Sequence, residues 1–256
     1  MQSLSLLADA GLAKFSEDER RRREEIIRYN RDKDYSQLHR DPDAQGKMLY
    51  TQHELMVSRF HAMVELACRK FAGKVQLEQW KQGPELWNRV ECPKVKKDGE
   101  TWIESSDREP LPHRPDAFFT LYFPGKPEGQ QRSHFLYEAD RGTENTTRFK
   151  LKLRAHWHFI VKHNLQRKEP YNVHAIRAVL IESTEKNWAS VLRDAARHPV
   201  VSGKPSPLFW FTTSELFFSP ATATTPAKPL YTDQPELVFK RIWATPVEDK
   251  FLNLAD

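Results

Sequence analysis

The stretch that decides the fold runs from 116 to 140: DAFFTLYF at 116–123, a polar connection at 124–133, then HFLYEAD at 134–140. The first run is apolar and of strand length, so it reads as a buried strand. The second reads as a strand paired antiparallel to the first through the connection. Asp116 begins the first strand. Glu138 and Asp140 stand two apart at the end of the second, so they share one face of the sheet. Pairing then gathers all three carboxylates at one sheet end.

Working outward, 51–72 (TQHELMVSRFHAMVELACRKFA) carries Leu55, Met56, Phe60, Met63, Val64, Ala67, Cys68 and Phe71 at helical spacing, with Gly73 as its stop. A short strand is expected at Val75–Glu78 and a hairpin at Lys94–Ile103, turning at Asp98-Gly99. Asn145–His163 reads as a helix with Phe149, Leu153, Trp157 and Ile160 on one face. Ala175–Glu182, Leu208–Thr213 and Leu237–Ile242 read as strands, and Glu185–Arg197 as a helix. A Pro/Thr/Ala-rich loop occupies 219–229. A hairpin followed by this alternation implies an α/β fold, with a mixed central sheet flanked by helices. Upstream, 16–31 (SEDERRRREEIIRYNR) reads as a charged helix, with Ser16 as N-cap and Glu19 as capping-box partner, and 32–47 as a loop. The expected division is an N-terminal charged helical extension, 1–48, and an α/β domain, 49–256.

The bulk composition sets limits. The 256 residues are 39% hydrophobic, and Lys+Arg 40 against Asp+Glu 35 gives +5. That mild excess fits a nucleic-acid partner. Cys68 and Cys92 make neither a disulfide framework nor a zinc motif. No apolar run approaches the roughly 18 residues of a membrane span, and the N-terminus lacks a signal-peptide pattern. A cytoplasmic protein is the expectation. Acyl-transfer and nucleotide-cradling motifs are absent; Ser202-Gly203-Lys204 lacks the glycine framework of the latter.

Three carboxylates held together repel one another unless a cation neutralises them. Carboxylate oxygens with retained water suit Mg²⁺, which generates hydroxide and stabilises a phosphorane-like transition state. A lysine from the adjoining helix would hold the attacking water or a phosphate oxygen. A Glu-x-Asp pair before Arg141-Gly142 also fits a solvated strand edge and turn. Asp116 equally fits a cap on Arg114 or on a backbone amide.

RPDA at 114–117, FLYEADRGTE at 135–144 and FKLKLRAHW at 149–157 resemble the replication-relaxation family of bacterial mobile elements and plasmids. The Pro-Asp…Glu-x-Lys layout on a hairpin resembles the PD-(D/E)XK nuclease superfamily. The resemblance spans roughly 50–185 and implies a restriction-endonuclease-like core. It implies a DNA endonuclease or nickase using Mg²⁺ or Mn²⁺, acting in plasmid or mobile-element DNA processing. Carried over, Asp116 and Glu138 are metal ligands. Asp140 stands where the superfamily places lysine, so it is either a further ligand or a departure. The lysine is then Lys152 on the following helix, or secondly Lys150. The alternative is a catalytically inactive nuclease-like DNA-binding scaffold that recruits a partner in replication, transposition or a defence complex.

Arg114, Arg141, Arg148, Arg154 and Lys162 are candidate DNA contacts around the acidic centre. A protein partner could engage the N-terminal helix. His156 and His163 share a helix face, from which His158 is rotated; with His134 they read as polar positions. Glu54 and Glu65 on the first long helix are candidate extra ligands, each with a plain surface reading beside it.

Overall fold

The computed structural model describes residues 44–142, 144–220, 222, 226–248 and 251–255, with side chains from 51 onward. The expected charged helix at 16–31 lies outside the described residues. The chain divides into two compact units, Met1–Gln52 and His53–Asp256. The sheets and the helices against them belong to the second.

Helix α1, Ala44–Lys70, spans the division. Met56, Phe60, Met63, Val64 and Ala67 recur at helical spacing and are buried. Arg69 and Lys70 in its last turn suit the negative end of the helix dipole. Gly73 follows at φ +84, a left-handed conformation that side chains disfavour.

Seven strands form the main sheet. In spatial order they are β1 Gln76–Gln82, β4 Ala117–Tyr122, β5 Arg132–Asp140, β6 Ala178–Ser183, β7 Phe209–Thr213, β8 Trp243–Ala244 and β9 Phe251–Leu252. β1, β4 and β5 pair antiparallel, β5, β6 and β7 parallel, and β8 and β9 antiparallel again. The sheet is mixed, as expected. Parallel pairing of β5 with β6 requires a crossover. Helix α2, Thr146–Trp157, supplies it, continuing as a π-helical turn at His158–Lys162. Asn145 caps α2 by accepting the Arg148 amide at 2.9 Å. Helix α3, Lys186–Ala196, and the short α4, Pro199–Ser202, connect β6 to β7.

Period-two alternation sorts the strands onto two cores. Phe119, Phe135, Tyr137 and Leu180 join the α1 side. Phe118, Leu136, Val179 and Ile181 join the side of α2 and α3, with Phe149 and Leu153. The hairpin expected at Lys94–Ile103 is much longer, a separate ribbon of β2 Asn88–Asp98 and β3 Thr101–His113.

One expected element is corrected. Leu237–Ile242 is no strand; Pro235–Phe239 is a 3₁₀ helix with proline in its first turn. A short apolar run cannot be assigned by periodicity alone, and proline at a helix start favours the turn.

Candidate active site

The β4–β5 ladder ends with Ala117 opposite Tyr137, so Asp116, one residue before β4, stands at the same sheet end as Glu138. The Asp116 amide donates to Tyr137 O at 3.0 Å. The Ala139 amide donates to Asp116 Oδ2 at 2.8 Å. The side chain therefore extends the ladder by one rung, taking the place of a carbonyl. His53 Nε2, from α1, lies 3.1 Å from the same oxygen. Burial alone would raise the Asp116 carboxyl, but His53, Lys152 and the Ala139 amide hold it below its usual range. Burial likewise opposes charge on His53; Asp116 and Glu54 outweigh it and lift the imidazole to about 10.

Glu138 is 1% exposed. Lys152 Nζ meets its Oε2, and His156 Nε2 lies 2.8 Å from its Oε1. Both are close contacts of poor alignment: neither Glu138 oxygen has a well-aligned hydrogen-bond donor among the described residues. Burial opposes the Lys152 ammonium, yet Glu138 and Asp116 push its pKa upward. Glu144 joins the same field; burial raises its carboxyl while Lys152 opposes the rise.

The structure thus brings together Asp116, Glu138 and Lys152, from the start of β4, from β5 and from α2. The expected three-carboxylate convergence does not form. Asp140 Oδ2 accepts the Trp188 indole N–H at 2.6 Å and the Gly142 amide at 3.0 Å. It stays within charge range of Lys152 and Glu138, but burial raises its carboxyl and its bonds shape the turn after β5. That turn needs Gly142: its φ is +74, and a Cβ there would press on the Trp188 ring at 3.4 Å. Among the described residues, no three His, Cys, Asp or Glu side chains gather as a ligand set.

Lys150 sits two residues from Lys152, about 200° around the helix, and its charge acts on His198. Among the expected DNA contacts, Arg114 is exposed, with its guanidinium 5.1 Å over the Trp87 ring. Arg148 and Lys162 are exposed, and Arg141 is half-buried. Arg154 is not a groove-lining cation. It is buried and donates to Val200 O at 2.7 Å, Pro93 O at 3.0 Å and Glu104 Oε1 at 2.8 Å, clamping the ribbon and α4 onto α2.

The reading of the histidines as polar positions is corrected at two of the four; His163 is exposed and His134 half-buried. His156 and His158 are buried; burial and Arg154 push His158 down to about 4. Sequence reasoning missed His53, His156 and Glu144 as neighbours of the carboxylates. His156 carried a signal: it lies one turn beyond Lys152 and so faces the same way. Glu54 contributes only indirectly, 3.8 Å from His53 Nδ1. Glu65 pairs with His61 and Arg69.

A family model described as replication-relaxation matches residues 16–172. The chain belongs to the replication-relaxation family. The match contains His53, Asp116, Glu138, Asp140, Glu144, Lys152 and His156, hence the whole candidate site. Membership links the chain to replication or relaxation of plasmid or mobile-element DNA. No curated protein and no solved structure matches the chain.

Proposed function

We propose that this site is the phosphodiester-cleaving centre of a metal-dependent DNA endonuclease or nickase, acting in plasmid or mobile-element DNA processing. One observation carries the reading: Lys152 reaches Glu138 from the helix after β5, and its charge acts on Asp116 at the same sheet end. The lysine absent from position 140 is supplied one element later.

The donor set suits Mg²⁺ or Mn²⁺. Magnesium is commonly held by one or two carboxylates and completed by water and phosphate oxygens. Glu138 fits because both its oxygens are buried without an aligned donor, a condition that calls for a ligand. Asp116 and Glu138 would hold the ion, which when bound supplies an activated water and a Lewis acid at the phosphate. Lys152 stays an ammonium because its carboxylate neighbours favour the charge. It cannot serve as a general base near neutrality; it donates hydrogen bonds and stabilises charge developing on phosphate oxygens. Arg114, Arg148 and Lys162 remain exposed to engage the phosphate backbone.

The second reading, a DNA-binding scaffold without catalysis, is favoured by one feature. Each carboxylate already faces a resident basic side chain, Glu138 those of Lys152 and His156, and Asp116 that of His53. Supercoiled plasmid incubated with the protein and Mg²⁺ or Mn²⁺ decides between them. Cleavage by the wild type, lost in Asp116→Ala and Glu138→Ala, supports the enzyme. Retarded but intact plasmid with all three proteins leaves the scaffold.

A further inference from the structure

Strand β5 carries the candidate active site at its last residues, and a different polar cluster gathers at its first. A cavity of about 440 Å³ lies there, between the connection that enters β5 and the segment that enters β6. Arg132, His134, His174 and Arg177 line it, together with Gly129 and Ser133. No carboxylate is among its lining residues. Its volume falls within the range of small-ligand sites, roughly 300–1,000 Å³.

The parallel pairing of β5 with β6 builds this wall. Phe135 stands opposite Ala178, and the Arg177 amide donates to His134 O at 2.8 Å. His134 and Arg177 are therefore cross-strand neighbours at the sheet end. Each basic side chain is held by a contact of its own. The Arg177 guanidinium lies 5.7 Å over the Trp210 ring. Glu78 accepts from Arg132 Nε at 2.8 Å and from Nη2 at 2.7 Å, a pair that does not use Nη1. Thr120 Oγ1 holds His134 by Nδ1 at 2.9 Å. Arg167 Nη2 stands 3.4 Å from His174 Nε2. Glu78 offsets the charge of Arg132, so the positive charge at the wall is that of Arg177, with Arg167 behind His174.

Guanidinium groups held in fixed planes suit oxyanions that accept paired N–H bonds. A carboxylate presents two oxygens in one plane, whereas a phosphate group presents three or more, spread in space. Donors arriving from two strands and a connection match the second shape. We propose that this cavity is a phosphate-binding site, taking the phosphate of a mononucleotide or of a DNA strand, with Arg177 and Arg132 as its main donors. It lies four to six residues along β5 from Glu138, about 13–20 Å at about 3.3 Å per residue. It is separate from the candidate active site and does not rest on the nuclease reading.

Titration calorimetry of the full-length protein with inorganic phosphate and with deoxyadenosine monophosphate tests the site. Both should bind the wild type and compete with each other. Arg177→Met keeps a stem over Trp210 and removes the charged donors, so binding should weaken by roughly 10–100-fold. Arg177→Lys keeps the charge without the fork and should recover part of that loss. Competition with oligothymidylate separates the two sources. Deoxyadenosine monophosphate that binds more tightly than phosphate and is not displaced identifies a nucleotide. Displacement of both, with a salt slope for oligothymidylate that falls by roughly 0.7 in Arg177→Met, identifies a DNA strand. If the variants are destabilised, NMR of the wild type decides: added phosphate should shift the Arg177 Nε–Hε signal and leave that of the clamped Arg154 in place. Absence of binding to the wild type, equal binding by Arg177→Met, or a shift at Arg154 without one at Arg177 would overturn the site.

Discussion

The His53–Asp116 pair makes the sharpest stability prediction. His53 Nε2 is 3.1 Å from Asp116 Oδ2, and the imidazole is lifted from 6.5 to about 10. A group whose pKa is raised on folding contributes its full stability below the unfolded value, and loses it as pH rises through the folded one. The pair therefore stabilises the fold fully below about 6.5 and progressively less toward about 10. At about 1.4 kcal/mol per pH unit, the ceiling is near 5 kcal/mol. His53 is about a quarter exposed at its side chain, and solvent screening reduces that to roughly 2–3 kcal/mol. Asp116 has the opposite sense: its carboxyl is held low, so its share is present above 3.8 and disappears as acid protonates it. The stabilisation from the pair should plateau between about 4 and 6.5. The perturbation is His53→Gln, which retains a donor and removes the charge. Urea unfolding of both proteins, with a chelator present, should show a wild-type advantage of roughly 2–3 kcal/mol near pH 6, most of it gone near pH 9.5. Other titrating groups are common to both proteins and cancel in the difference. An advantage that does not change with pH would refute the ion pair as the source.

Lys152→Met should lower plasmid cleavage by roughly 10²–10³-fold while leaving DNA retardation on a native gel intact. Arg154→Met should cost about 3–5 kcal/mol in urea unfolding, because it strips the clamp on the ribbon; the salt slope of DNA binding should not move. Arg59→Met leaves Glu182 buried without its cation and should lower the melting temperature by roughly 10 °C. Asp140→Ala strands the Trp188 and Gly142 N–H groups at roughly 1–3 kcal/mol, and should reduce cleavage far less than Asp116→Ala.

How much of the fold is legible in the sequence depends on the range of each interaction. Strands β4 and β5 and helices α1 and α2 announce themselves because their apolar spacing is local and their burial is large. That Asp116 and Glu138 share one sheet end follows from the connection between two consecutive strands. Lys152 follows from helical spacing next to that hairpin. The long-range polar partners were hidden for the converse reason. His53 is distant in sequence from Asp116, and His113 from His156, with which it hydrogen-bonds. Nothing in local periodicity encodes such pairings. Arg154 misled because charge on a helix normally means solvent. It is buried only because Val200 O, Pro93 O and Glu104 converge on it, and all three are remote in sequence. Asp140 shows the same limit: alternation gives it the face of Glu138, but Trp188, from α3, claims its oxygen.

Two buried glutamates show how structure and function separate in this sheet. Glu182 on β6 stands beside Ala139 in register and is fully buried. Tyr137 donates to its Oε2 at 2.8 Å, Ser214 to its Oε1 at 2.6 Å, and Arg59 also binds Oε1. Both oxygens of that carboxylate accept hydrogen bonds from within the protein, and its work is to hold α1 to the sheet. Glu138, one position away on the neighbouring strand, faces the opposite core and is equally buried. It has charges beside it but no aligned donor. A buried carboxyl group beside Lys152 and His156, yet short of aligned hydrogen bonds, is costly for stability alone. Such a cost is expected where a protein holds a group ready for something it binds. Burial does not distinguish the two glutamates; satisfaction does, and it supports the proposed site at Glu138.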